Sequence, residues 1–266
     1  MYDINEPEEG DQRPATARPR IDEADGIVEW ARTKLGFPAD GLQARVLETP
    51  SKRGILNCSR QWGKSTVTAA KAIHQAFRHA ESLTLVVSPS GRQSAEFLRK
   101  ATDFVRKLGI RPRGDGDNNI SLELPNGSRI VGLPDTEQTI RGFSAVSLLL
   151  VDEAARVSDE LYRAIRPMLA VSQGTLWLMS TPWGKQGFFY ETWAHGGAEW
   201  ERILAPATEC PRIERKFLEK ERDEIGERCF RQEYLCEFED SVSCMFDRDL
   251  VERAFTDDVE PLVIRG

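Results

Sequence analysis

Residues 58–66 read Cys58-Ser59-Arg60-Gln61-Trp62-Gly63-Lys64-Ser65-Thr66. A Gly-Lys-Ser triplet behind a short apolar segment and ahead of a helix-like one has the makings of a phosphate-binding loop. Successive backbone N–H groups and a helix N-terminus would hold a polyanion there. Lys64 would meet the β- and γ-phosphates of a nucleoside triphosphate, and the Ser65 hydroxyl would bind Mg²⁺. Ser59, Arg60, Gln61, Trp62, Gly63 and Thr66 complete the cradle. The usual pattern opens on glycine, and this chain has Cys58 instead. The competing reading is an ordinary helix start with a surface lysine.

A second group follows in Leu148-Leu149-Leu150-Val151-Asp152-Glu153. Four apolar residues and then two acids place the carboxylates at the carboxyl end of a buried strand, where α/β sheets bind ligands. Asp152 would hold Mg²⁺, and Glu153 would act as general base on an attacking water. A third group, Leu178-Met179-Ser180-Thr181-Pro182-Trp183-Gly184, ends another buried strand in small hydroxyls. Thr181 or Ser180 would sense the γ-phosphate or the lytic water; otherwise this is a plain strand-to-turn junction. Upstream, the Gln43 amide has the donor and acceptor to pair with the edge of adenine. Its alternative is an exposed helical glutamine.

These groups need a sheet to bring them together. Residues 27–35 form a short helix. Residues 54–57, Leu83–Ser88, 147–151 and Thr175–Ser180 read as strands. Residues 64–80 and 94–108 carry apolar stripes at helical spacing. Residues 120–133 form a hairpin turning at Asn126-Gly127. Ser158 caps a helix reaching about Leu169. Alternating helices and continuous apolar strands imply a mostly parallel sheet covered on both faces. From residue 206 the pattern turns to charged helix, about 212–224 and 227–237. The expected organisation is a disordered acidic arm over 1–25, a core over 26–205 and a helical lid or linker subdomain over 206–266.

The 266 residues are 40% hydrophobic and 30% charged, a balance that fits a globular domain. No stretch approaches a membrane span, and no secretory leader is evident. Five cysteines without framework spacing and three histidines argue against a disulfide scaffold or a zinc site, and fit a reducing cytoplasm. The net charge of −7 is carried mainly by residues 1–25, which hold eight acids and three arginines. A near-neutral remainder leaves nucleic acid open as a partner. Arg92, Lys100 and Lys185 are candidate contacts, each with a solvated charge as the plainer reading.

Together the motifs resemble the ATPase domain of the large terminase subunit of tailed bacteriophages. The arginine early in a loop without an initial glycine is similar to that family. So are Thr139-Ile140-Arg141-Gly142 ahead of the Asp152 strand, Ser180-Thr181-Pro182 followed by Gly184 and Gly187-Phe188-Phe189, and the late Gln232-Glu233-Tyr234-Leu235-Cys236-Glu237-Phe238. The resemblance spans about residues 30–250. It implies a P-loop NTPase of the RecA-like (ASCE) class with a small C-terminal helical lid. It implies ATP and Mg²⁺ as cofactors and hydrolysis coupled to pumping double-stranded DNA through a portal into a capsid. A portal protein, a small terminase subunit and a ring, usually of five copies, are the implied partners, in the bacterial host cytoplasm; the free chain is expected to be a monomer. The family's nuclease carboxylates have no counterpart here, so DNA cleavage is not expected.

Two arginines compete to meet the γ-phosphate: Arg60 within the loop, and Arg141 ahead of the Asp152 strand. Five strand residues span roughly 16 Å. Arg141 is therefore expected at the far edge of the sheet, facing a neighbour's site in the ring or pairing with an acid such as Glu137. Two other readings compete with the motor. A superfamily-2-like helicase would require a second RecA-like domain. A non-hydrolysing nucleotide-binding module would have no use for Glu153.

Overall fold

The computed structural model describes residues 26–118, 120–134 and 142–240. Helices α1 (Ile27–Lys34) and α2 (Gly41–Glu48) precede strand β1 (Arg53–Cys58), helix α3 (Lys64–Arg78), β2 (Leu83–Ser88) and α4 (Gly91–Lys107). A hairpin of β3 (Ser121–Glu123) and β4 (Arg129–Pro134) leads to β5 (Leu148–Asp152), α5 (Asp159–Ile165) and β6 (Thr175–Ser180). Helix α6 (Gly187–His195), β7 (Trp200–Ala205), α7 (Arg215–Ile225) and α8 (Glu227–Tyr234) complete the order. Among the described residues, no helix is long and apolar enough to cross a membrane.

The seven strands lie in the order β3-β4-β2-β5-β6-β1-β7. All pairs are parallel except β3–β4, which is antiparallel. This is the expected P-loop architecture of a mostly parallel sheet flanked by helices. β2 and β5 are buried along their whole length, as strands covered on both faces must be. Successive β5 residues feed opposite layers. Leu148 and Leu150 pack with α1–α4, while Leu149 and Val151 pack with α5 and α6. β1 needs Gly54, because a Cβ there would lie 2.4 Å from the Trp177 ring of β6.

Helix starts follow side-chain caps. Asp40 and Gln43 form a reciprocal capping box on α2, Ser90 caps α4 and Ser158 caps α5. The expected start of α4 at Ser94 is therefore corrected to Gly91. Ser94 is instead a buried helix residue whose hydroxyl donates to the Leu133 carbonyl at 3.1 Å. The continuation beyond α5 winds as a tighter 3-10 segment over Arg166–Leu169. The helix expected from residue 212 begins at Arg215. Sequence periodicity gave no sign of α6 or β7 as elements, and α2 entered only through the helical alternative for Gln43.

α7 and α8 share a small cluster of their own around Leu218, Phe230 and Ala207. Past α8 the chain returns to the main body. Phe238 packs against Phe189, Tyr190 and Trp193, and Lys185 meets Asp240 at 3.4 Å.

Candidate active site

Register alone gathers the three motifs. Asn57 of β1 pairs with Ser180 of β6, and Met179 of β6 pairs with Asp152 of β5. β6 thus lies between the strand that launches the phosphate loop and the strand that ends in the acids, and all three deliver their residues to one carboxyl edge. Ser180 and Thr181 stand between loop and acids, both buried.

The loop has the geometry of an anion nest. Gln61 and Gly63 adopt left-handed φ values of 60° and 101°, alternating with ordinary backbone at their neighbours. The Ser59 and Arg60 N–H groups bond to the Ala205 and Glu233 carbonyls, and those of Thr66 and Val67 return to Gly63. The N–H groups of residues 61–65 find no acceptor among the described residues. Five adjacent donors at the start of a helix are what a polyphosphate requires. The buried Ser59 hydroxyl and Trp62 indole N–H likewise have no partner among the described residues. Trp62 packs into the main core beside the loop, with 1% exposure. Cys58, in place of the usual first glycine, is buried, and burial pushes its thiol up to about 12.

Lys64 lies 2.6 Å from the Glu153 carboxylate. Burial works against the Lys64 charge, but the Asp152 and Glu153 carboxylates favour it, so its pKa rises and it stays an ammonium. Ser65 Oγ donates to Asp152 Oδ2 at 3.3 Å. Asp152 is buried, which pushes its carboxyl up against the opposing pull of Lys64. A hydroxyl and a carboxylate meeting at the mouth of the loop form a hard-oxygen donor pair suited to Mg²⁺. Glu153 itself sits at φ 52°, an uncommon conformation for a residue with a side chain, held by its N–H to Asp152 Oδ1 and its carbonyl to the Arg156 N–H. Arg156 in turn stacks 4.2 Å over the Trp183 ring, tying the turn after Glu153 to the loop after Thr181.

Two expected site residues look different in three dimensions. Gln43 is 2% exposed rather than a solvated helical glutamine. Its Oε1 accepts from the Asp40 N–H and its Nε2 donates to the Trp62 carbonyl at 3.3 Å. Arg60 leans out of the loop onto Glu233 of α8, paired through side chains and through the backbone at 3.3 Å. Arg141 lies outside the described residues. Sequence reasoning missed Arg212, Glu233 and Arg156 as parts of this neighbourhood. Only the fold brings the first two to the loop; Glu233 stood within the late family-like motif, without a link to the loop, and nothing in local spacing marked Arg212.

The family described as "Terminase large subunit, T4likevirus-type, N-terminal" matches residues 55–253. The large terminase subunit of Escherichia phage T5 is 25% identical over 225 residues, 80% of this chain and 50% of that protein. That of Thermus phage G20c is 24% identical over 181 residues, 61% of this chain and 37% of that one. The chain thus spans half or less of these curated relatives. Among solved structures, the Thermus phage P74-26 large terminase ATPase domain superposes with a TM-score of 0.70 at 22% identity, covering 78% of this chain and 97% of that one. The HK97 bacteriophage large terminase gives 0.69 at 17%, covering 85% and 57%. At such identities the structural likeness speaks for the fold, and the family match speaks for descent. By that match over residues 55–253, this chain belongs to the T4likevirus-type large terminase subunits, matching their N-terminal region.

Proposed function

We propose that this chain is the Mg²⁺-dependent ATPase of a DNA-packaging motor, hydrolysing ATP to drive double-stranded DNA into a viral capsid. The convergence of Lys64, Ser65, Asp152 and Glu153 beside five loop N–H groups that have no acceptor among the described residues carries this reading. The loop donors bind the β- and γ-phosphates, and Lys64 adds its charge to them. Ser65 and Asp152 would hold Mg²⁺, which supplies charge stabilisation on the phosphate oxygens when bound.

An incoming triphosphate competes with Glu153 for Lys64. The freed Glu153 carboxylate takes a proton from water as the water oxygen bonds the γ-phosphorus. The bond from that phosphorus to the β–γ bridging oxygen breaks, leaving ADP and inorganic phosphate. Thr181, between loop and acids, is the residue to register loss of the γ-phosphate. Arg60 acts in cis once Glu233 releases it, or Arg141 of a neighbouring copy acts in trans. The portal, a small terminase subunit and a ring of copies, usually five, are the partners this reading entails.

Phosphate release from Mg·ATP by the purified chain, with and without double-stranded DNA, tests the reading. Turnover abolished by Lys64→Ala supports it. Absence of turnover under all conditions, including stoichiometric DNA and high protein concentration, would overturn it.

A further inference from the structure

Helix α2, ahead of the sheet, and the segment between β7 and α7 meet at one backbone carbonyl of the phosphate loop. Arg212 lies in the short segment between β7 and α7. Its guanidinium is forked: Nη1 donates to Asp40 Oδ2 at 2.9 Å, and Nη2 donates to the Trp62 carbonyl at 2.6 Å. Gln43 Nε2 donates to the same carbonyl at 3.3 Å. Asp40 and Gln43 are already locked together by the α2 capping box. The Trp62 carbonyl therefore has two donors on its two lone pairs, both on side chains fixed by a third residue.

This arrangement has a consequence for the opposite side of the same peptide. A trans peptide is planar, with its C=O and N–H pointing in opposite directions, and no described peptide is cis. Pulling the Trp62 oxygen outward toward Gln43 and Arg212 turns the Gly63 N–H inward. That N–H is one of the five loop donors without an acceptor. Gly63 can follow because its φ of 101° is open to glycine, and a Cβ there would crowd Gln43 Nε2 at 3.1 Å.

We infer that Arg212, with Gln43, is a positioning residue of the phosphate nest: it sets the direction of the Gly63 N–H and so the affinity for the phosphate chain, without touching the nucleotide. Gln43 serves the loop as well. Its amide is buried, and its carbonyl and one N–H are spent on Asp40 and Trp62. Arg212 belongs to the segment leading into α7, so it ties that helical pair to the phosphate cradle at Trp62, beside the separate Arg60–Glu233 contact of α8. The inference rests on the nucleotide site proposed above.

The test compares a probe that has a base with one that lacks it. Dissociation constants for Mg·ATP and for Mg·tripolyphosphate are measured by calorimetry on wild type, Arg212→Ala, Arg212→Lys and Asp40→Asn. Loss of a charge-assisted hydrogen bond to the loop weakens binding by about five- to tenfold or more. Arg212→Ala should weaken both probes by the same factor, raising KM for ATP with little change in kcat. Arg212→Lys, which keeps one donor but cannot span both acceptors, should recover part of the loss. Asp40→Asn retains a good helix cap but loosens the fork, and should fall between. These two variants decide the matter if Arg212→Ala does not fold. Weakened ATP with unchanged tripolyphosphate would make Arg212 a base or ribose contact and overturn the inference, as would affinities unchanged for both probes. A wild-type chain that binds neither would instead overturn the nucleotide site itself.

Discussion

The Lys64 ammonium and the Glu153 carboxylate form an ion pair of 2.6 Å across the mouth of the phosphate loop. The proposed general base is thus neutralised by the residue proposed to bind the substrate's phosphates. Each holds the other until a triphosphate takes Lys64 over, so hydrolysis is prepared only when substrate is in place. A base held by a cation and a cation held by a base also make the effects of their substitutions asymmetric.

Lys64→Ala removes the charge that the phosphates require. ATP affinity should fall at least tenfold and turnover by about 10²-fold or more. Phosphate release under saturating ATP checks this, and turnover within twofold of wild type would remove Lys64 from the site.

Glu233 of α8 engages the Arg60 guanidinium in an ion pair. If Arg60 is the cis cation, Glu233→Ala should raise basal turnover by freeing it. Arg60→Ala should lower turnover by about tenfold or more, given the rates arginines contribute to phosphoryl transfer. Steady-state rates of the two variants should move in opposite directions; a fall in both would assign the pair to holding α8 in place.

Arg141 is tested by mixing. On the trans reading, specific activity rises with protein concentration, and Arg141→Ala mixed with Glu153→Gln regains activity, because each copy supplies what its neighbour lacks. Flat specific activity and no recovery would leave Arg60 as the arginine of the site.

His74 of α3 packs edge-on against Trp30 with ring centroids 5.0 Å apart. Burial, with Arg78, Lys71 and His79 nearby, lowers its pKa to about 4 from an ordinary 6.5. Between these values the unfolded chain binds more protons than the folded one, so stability falls as pH drops from 6.5 toward 4. Melting temperature should fall as pH is lowered across that window, and less steeply in His74→Phe. An identical slope in the variant would assign the acid sensitivity to other groups.

Much of the site is legible in the sequence because its parts are local. A Gly-Lys-Ser triplet between strand and helix, and two acids after four apolar residues, each announce themselves within ten residues. Leu83–Ser88 and Thr175–Ser180 are equally plain, since six-residue, mostly apolar runs are too short for a buried helix. The missed β7 is an edge strand with half-exposed Glu201 and Arg202, and it lacks the continuous apolar run of its neighbours. Gln43 could be singled out by type, but its burial depends on a carbonyl nineteen residues away. Arg212 reads as the first residue of a charged helix. The helix starts at Arg215 instead, and so Arg212 is left in the connecting segment that reaches Trp62.

The account stands most directly on Glu153→Gln. The amide keeps the shape but cannot take a proton, and it no longer competes for Lys64 as an anion. Single-turnover hydrolysis of Mg·ATP, measured with the dissociation constant on the same preparation, separates binding from chemistry. The predicted result is affinity equal to or tighter than wild type, with the hydrolysis step slowed by about 10²–10⁴-fold. A variant that hydrolyses at the wild-type rate, or one that loses binding and rate together, would contradict Glu153 as the base.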